Sequence, residues 1–135
     1  MSSINVGNIK SITSAPPVIS NVAGTEIGRV ARAYANFNGY SASPVTPRTS
    51  FNIASITKTG GARYTLTFST PMQSANYVIT GTVSYNAYGN AVSNIQIDTS
   101  IPPTANAFSV FTQAANSANQ QLEEEVYVMI VVHGV

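Results

Sequence analysis

The side chains best fitted to chemistry are few and scattered. There is one histidine, His133, and one aspartate, Asp98. A Ser/His/Asp triad would have to use both, and no G-x-S-x-G turn accompanies any serine. Glu123, Glu124 and Glu125 are consecutive, so in a strand the middle one faces away from the other two. That spacing makes no acid/base pair, and glycosidase work needs two carboxylates held apart by a fixed span. No glycine-rich loop follows a strand and opens a helix, so no phosphate cradle is expected. Lys58-Thr59-Gly60-Gly61 reads as a hairpin turn whose glycines supply positive φ. These residues predict no enzyme, no cofactor and no required metal. His133 reads as a terminal or interface histidine; three copies meeting on a three-fold axis could still give an ion three imidazoles.

One loop has binding chemistry. Tyr85, Asn86, Tyr88 and Asn90 fall within six residues. Tyrosine rings stack on sugar faces and amide side chains bond hydroxyls, so this segment is the candidate receptor-binding loop. As a plain turn, its tyrosines would shield a sheet edge.

The elements that must position these residues are strands. Tyr64, Leu66 and Phe68 alternate with Arg63, Thr65 and Thr67, a period of two in β-branched and aromatic residues. Phe51, Ile53 and Ser55 alternate before it, and Asn76 to Ser84 follows the break at Pro71. Residues 29–38 put Ala31, Ala33, Ala35 and Phe37 on one side, a small-residue strip that invites close approach. Residues 91–98 and 107–112 add two strands. Glu123 to Val132 ends the series with Val126, Val128, Ile130 and Val132 on one face and Tyr127, Met129 and Val131 on the other. A strand apolar on both faces is covered on both, by its own sandwich or by another subunit. No segment sustains helical spacing. The reading is all-β, an antiparallel β-sandwich of about seven strands over residues 29–135. Its expected core is Phe51, Ile53, Tyr64, Leu66, Phe68, Tyr77, Ile79, Phe108, Val110, Val128 and Ile130.

Residues 1–28 read as an extended N-terminal arm. Ile4, Val6, Ile9, Ile12, Val18 and Ile19 lack a sustained period, Ala15-Pro16-Pro17 enforces an extended path, and Asn21 to Gly24 makes a turn. So apolar an arm is expected to lie on another subunit or on the domain itself, and is the candidate anchor to other proteins.

The 135 residues suit one domain. Only 8% are charged, against roughly 25% in an average globular protein. Such a chain has little to keep a free monomer soluble and suits a packed, immobile assembly. The net charge of +1 gives no case for nucleic-acid binding. Residues 1–97 hold six cations against Glu26, a net of +5, and residues 98–135 hold Asp98 and the three glutamates, a net of −4. Neighbouring copies could attract through them. There is no cysteine, which excludes disulfides and thiolate metal sites. The start MSSINVGNIK is not a secretory signal, and the longest apolar run, Val126–Val132, is too short to span a membrane as a helix.

Three stretches carry a resemblance: GTEIGRVARAYANFNG (Gly24–Gly39), SFNIASITKTGGARYTLTFSTPM (Ser50–Met72) and ANYVITGT (Ala75–Thr82). They are similar to a module found at the C-terminal ends of tail fibres and other virion appendages of tailed bacteriophages. Its cadence is K-A-W-V-N-F-N-G, S-F-N-V-S-S-I-T, a glycine turn, Y-T-V-N-F and M-P-N-A-N-Y. Ala33-Tyr34-Ala35 stands where the family commonly has Trp and Val. With only about 28 residues before the module in this sequence, no shaft is expected. The resemblance implies a virion structural protein, a short tail-fibre or fibre-tip domain for host attachment. A capsid decoration protein or a baseplate or collar part is the alternative. It also implies a homotrimer joined to other virion proteins through the arm, and a host glycan or protein as target.

Overall fold

Asn52 sets the architecture. It takes φ 54°, a left-handed conformation that asparagine tolerates better than most residues. There the chain leaves one sheet and enters the other. The computed structural model describes residues 18–84, 92–115 and 120–134. The chain divides into two units, Met1–Val30 and Ala31–Val135.

In the first unit, β1 (Val18–Ser20) and β2 (Glu26–Arg29) form an antiparallel hairpin. The Asn21 side-chain oxygen accepts from the N–H groups of Ala23 and Thr25 at 3.0 and 2.9 Å, and Gly24 supplies φ 78°. The described part of the arm is therefore folded back on itself rather than extended.

The second unit holds β3 (Ala33–Phe37), β4 (Pro47–Phe51), β5 (Ile53–Gly60), β6 (Arg63–Phe68), β7 (Val78–Val83), β8 (Val92–Ile97), β9 (Ala107–Ala115), β10 (Gln120–Leu122) and β11 (Val128–His133). One sheet runs β4-β3-β11-β7. The other runs β8-β9-β6-β5, with β10 on β9 along the edge that β6 has vacated. Pairing is antiparallel throughout, and the expected all-β sandwich is what forms. The two strands beyond the expected seven are β4 and β10.

Alternation decides what fills the space between the sheets. Ala33, Ala35 and Phe37 point inward from β3, and Val128, Ile130 and Val132 from β11. Ile56, Tyr64, Leu66, Phe68, Phe108 and Val110 meet them from the other sheet. Ile53, Tyr77 and Ile79 pack against this cluster while partly exposed. Phe37 meets Tyr64 edge-on at 5.1 Å, and Phe68 meets Tyr77 at 5.4 Å, both favourable ring geometries.

Four expectations are corrected. Phe51 is 54% exposed rather than core, because the positive φ at Asn52 ends β4 and reverses the alternation Phe51 shared with Ile53. Of the two partners the alanine strip could admit, a facing sheet or another subunit, it meets the facing sheet: Ala33 and Ala35 belong to the core of their own sandwich and are not free for a subunit. The last strand begins at Val128, not Glu123: Glu125 is buried, Val126 is exposed, and the alternation starts two residues later. The β5–β6 turn takes its positive φ at Ala62 (56°), not at a glycine.

Candidate interaction surface

Residues directly opposite one another in an antiparallel sheet share a face. On the outer face of the β4-β3-β11-β7 sheet one row runs Phe51, Tyr34, Val131, Thr80. The next runs Thr49, Asn36, Met129, Thr82, and Val78 lies opposite His133. Phe51, Tyr34, Met129 and Val78 are all exposed, as is Tyr127 just before β11. Tyr34 and Phe51 stack at 6.0 Å with ring planes 29° apart. The Arg48 guanidinium lies 4.3 Å from the centre of the Tyr127 ring, within cation–π range. Tyr34, Asn36, Thr80, Thr82, Met129 and Val131 line a shallow depression of about 420 Å³ on this face.

None of the residues in these rows is acidic. Two near-parallel rings flanked by threonine hydroxyls and an asparagine amide can hold a flat, neutral, hydroxyl-rich ligand. The rings cover its apolar face and the side groups bond its rim. The sequence placed Tyr34 with Asn36 on one side of its strand and Tyr127 with Met129 on one side of theirs. It could not place those two sides together, because that depends on β3 and β11 being neighbours, a contact across about ninety residues.

The carboxylates are engaged elsewhere. Asp98 pairs with Arg63 and accepts from the Ser100 hydroxyl and N–H. The Ser100 bond foremost, then Arg63, holds its carboxyl below the ordinary value despite burial. Glu124 meets Lys58 at 2.6 Å, and Lys58 also donates to the Gly39 carbonyl at 3.1 Å. Buried Glu125 accepts from the Ser84 hydroxyl at 3.1 Å. Tyr64 donates to the Gly39 carbonyl at 3.0 Å, and Tyr77 to those of Thr104 and Ala107 at 2.9 and 3.1 Å. Burial pushes both phenols up to about 12.

Of the residues singled out in the sequence, Tyr85, Asn86, Tyr88 and Asn90 lie outside the described residues, as do Ile4, Val6, Ile9 and Ile12. Val18 begins β1, and Ile19 in β1 is half exposed. Ser84, where the described chain stops before the tyrosine loop, sits at the Val83–Val128 end of its sheet. His133 is exposed, and no group of three metal-ligating side chains forms among the described residues.

The sheet edges also differ. Among the described residues β7 pairs only with β11, and β8 only with β9. Between them Ile79, Gly81, Ile95, Gln96, Ile97 and Val110 line a seam of about 100 Å³. No family model, curated protein or solved structure matches the chain.

Proposed function

We propose that this chain is a structural protein of a bacteriophage virion, a short tail-fibre or fibre-tip module that works as a homotrimer in host attachment. Its place in a virion rests on the resemblance carried by Gly24–Gly39, Ser50–Met72 and Ala75–Thr82. Attachment rests on the aromatic face of Tyr34, Phe51 and Tyr127, whose rows hold no acidic residue, with the Arg48 guanidinium on the Tyr127 ring and Asn36, Thr80 and Thr82 beside them. Such a face fits a host surface glycan through ring stacking and hydroxyl bonding. Tyr85, Asn86, Tyr88 and Asn90, which follow Ser84 in the sequence, are further candidates for receptor contact on their chemistry alone. The N-terminal arm, with Ile4, Val6, Ile9, Ile12, Val18 and Ile19, anchors the module to other virion proteins.

Two measurements test this. Gold-labelled antibody against the chain should decorate the tail end of purified particles; labelling spread over the capsid would replace the fibre role with decoration. In a glycan-array screen the full chain should bind a defined set of neutral glycans, and Tyr34→Ala with Phe51→Ala should abolish binding while leaving the fold intact. Binding to neither glycans nor host cells by the unaltered protein would end the attachment reading.

A further inference from the structure

The two long sides of the sandwich are built differently. On one side lie the edge strands β4 and β5. They carry Pro47, Arg48 and Lys58, and their registers slip between Pro47 and Thr49, between Ile53 and Ser55, and between Lys58 and Gly60. Each slip places an extra residue, Arg48, Ala54 or Thr59, on the edge strand. Prolines, charges and bulges are how natural sheets refuse a further strand.

The other side has none of these. β7 reads Val-Ile-Thr-Gly-Thr-Val and β8 reads Val-Ser-Asn-Ile-Gln-Ile. Neither holds a proline or a charge, and neither register slips. The strands match at six residues each. The Ser84 N–H donates to the Tyr127 carbonyl at 2.9 Å, in register with the β7–β11 ladder. Hydrogen-bonded pairs alternate in an antiparallel ladder, so Thr82, Thr80 and Val78 face β11. The N–H and C=O groups of Ile79, Gly81 and Val83 then face away from β11, along an edge that no described strand covers.

We infer that this side is an assembly edge, on which β7 of one copy pairs with β8 of the next around a three-fold axis. The inference rests on the homotrimer proposed above and names its interface. Main-chain bonds supply the attraction, as in other strand additions. Both edges are neutral, so their pairing strips no charge of water. Because β7 and β8 lie side by side, each copy offers one strand to each neighbour, and the ring closes. Closure covers the seam of Ile79, Ile95 and Ile97 and leaves the aromatic outer face free for ligand.

The test combines light scattering with hydrogen exchange on the full chain. At micromolar concentration the protein should have a trimer's mass. The amides of Ile79, Gly81 and Val83 should be protected there and should exchange quickly once dilution gives monomer. The double variant Val92→Lys with Gln96→Lys lies on the other sheet from the glycan-facing rows. It should give a folded monomer that still binds whatever glycan the unaltered chain binds. A trimer whose edge amides exchange freely, or that survives both lysines, would overturn the edge while sparing the trimer. A monomer at micromolar concentration would overturn both.

Discussion

The β4/β5 side and the β7/β8 side of this sandwich face the same problem with different sequences. Each presents two edge strands, and on the first β5 is already partly covered, since its Ile56 carbonyl accepts from the Val45 N–H at 2.8 Å and its Lys58 N–H donates to the Ser43 hydroxyl at 3.1 Å. On the first, one continuous chain passes from sheet to sheet at Asn52. The Asn52 amide donates to the Arg32 and Thr70 carbonyls at 3.1 Å each, and its oxygen accepts from the Thr70 N–H at 2.7 Å. On the second, the chain crosses from β7 to β8 through residues 84–91, and among the described residues the sheets meet there through side chains, with Ile95 methyl groups 3.2 and 3.4 Å from where a Cβ on Gly81 would stand. Gly81 is needed there because a Cβ would also lie 2.9 Å from the Met129 carbonyl. A corner one residue long keeps its bulges and charges at its rim; the side whose strands are joined by the longer connection of residues 84–91 has edge strands without either.

That contrast can be broken at several points. The largest effect is expected at the corner. Asn52→Ala removes three hydrogen bonds of about 1 kcal/mol each and adds left-handed strain of about 1 kcal/mol. Denaturant melts should show a loss of about 4 kcal/mol, and Asn52→Gly should recover the strain alone. Equal stability of Asn52→Ala and the unaltered chain would show that the corner seals nothing.

Ile95→Ala on the open side should cost less, about 1–2 kcal/mol, because Ile95 is only partly buried in the monomer. In the assembled trimer its cost should rise; a cost independent of protein concentration would count against seam closure.

Asp98 pins the end of the open-edge strand to β6 through Arg63. Its folded carboxyl titrates below 3.8, its ordinary value. The stabilisation is therefore full above about pH 4 and disappears as pH falls through the folded value. The Tm should drop with acid, and Asp98→Asn should flatten that drop. The buried phenols have the opposite sign. Tyr64 and Tyr77 titrate near 12 when folded and near 10 when unfolded. Their contribution is complete below pH 10 and is lost as pH climbs towards 12. Tyr64→Phe should lessen the alkaline fall in Tm.

The smallest effect belongs to the partly buried Lys58–Glu124 pair. Lys58→Ala should cost about 1 kcal/mol or less, with the difference shrinking in high salt. Its sharper consequence is on β5, where loss of the charge weakens the defended edge; association through that edge in Lys58→Ala would show what the lysine prevents.

Much of this fold was legible from alternation alone. Tyr64, Leu66 and Phe68 point inward as their spacing says, and so do Val128, Ile130 and Val132. Where alternation misled, one backbone angle intervened. A period of two runs unbroken from Phe51 to Ser55, but it cannot register that Asn52 turns the chain into another sheet. Glu125 misled for a related reason: a strand begun at Glu123 puts it on the face of Tyr127 and Met129, whereas its carboxylate is buried and bonded to Ser84, forty-one residues away. The aromatic face was invisible because it is assembled from β3, β4 and β11, strands whose adjacency no local pattern encodes.

The order of those strands also has a mechanical consequence. β3, where the chain enters the sandwich, lies between β4 and β11 and pairs with both. Ala33 sits opposite Val132 and Phe37 opposite Val128, so the entry point and Gly134 share one end, while Ser84 and Val128 lie at the other. A tether pulling on the arm against a ligand held near that far end would load β3 along its own axis. Force would then be borne by the hydrogen bonds of two ladders together, in shear, and β3 could not be peeled away one bond at a time. A module hung by its N-terminal end in this way resists extraction through the geometry of its first core strand.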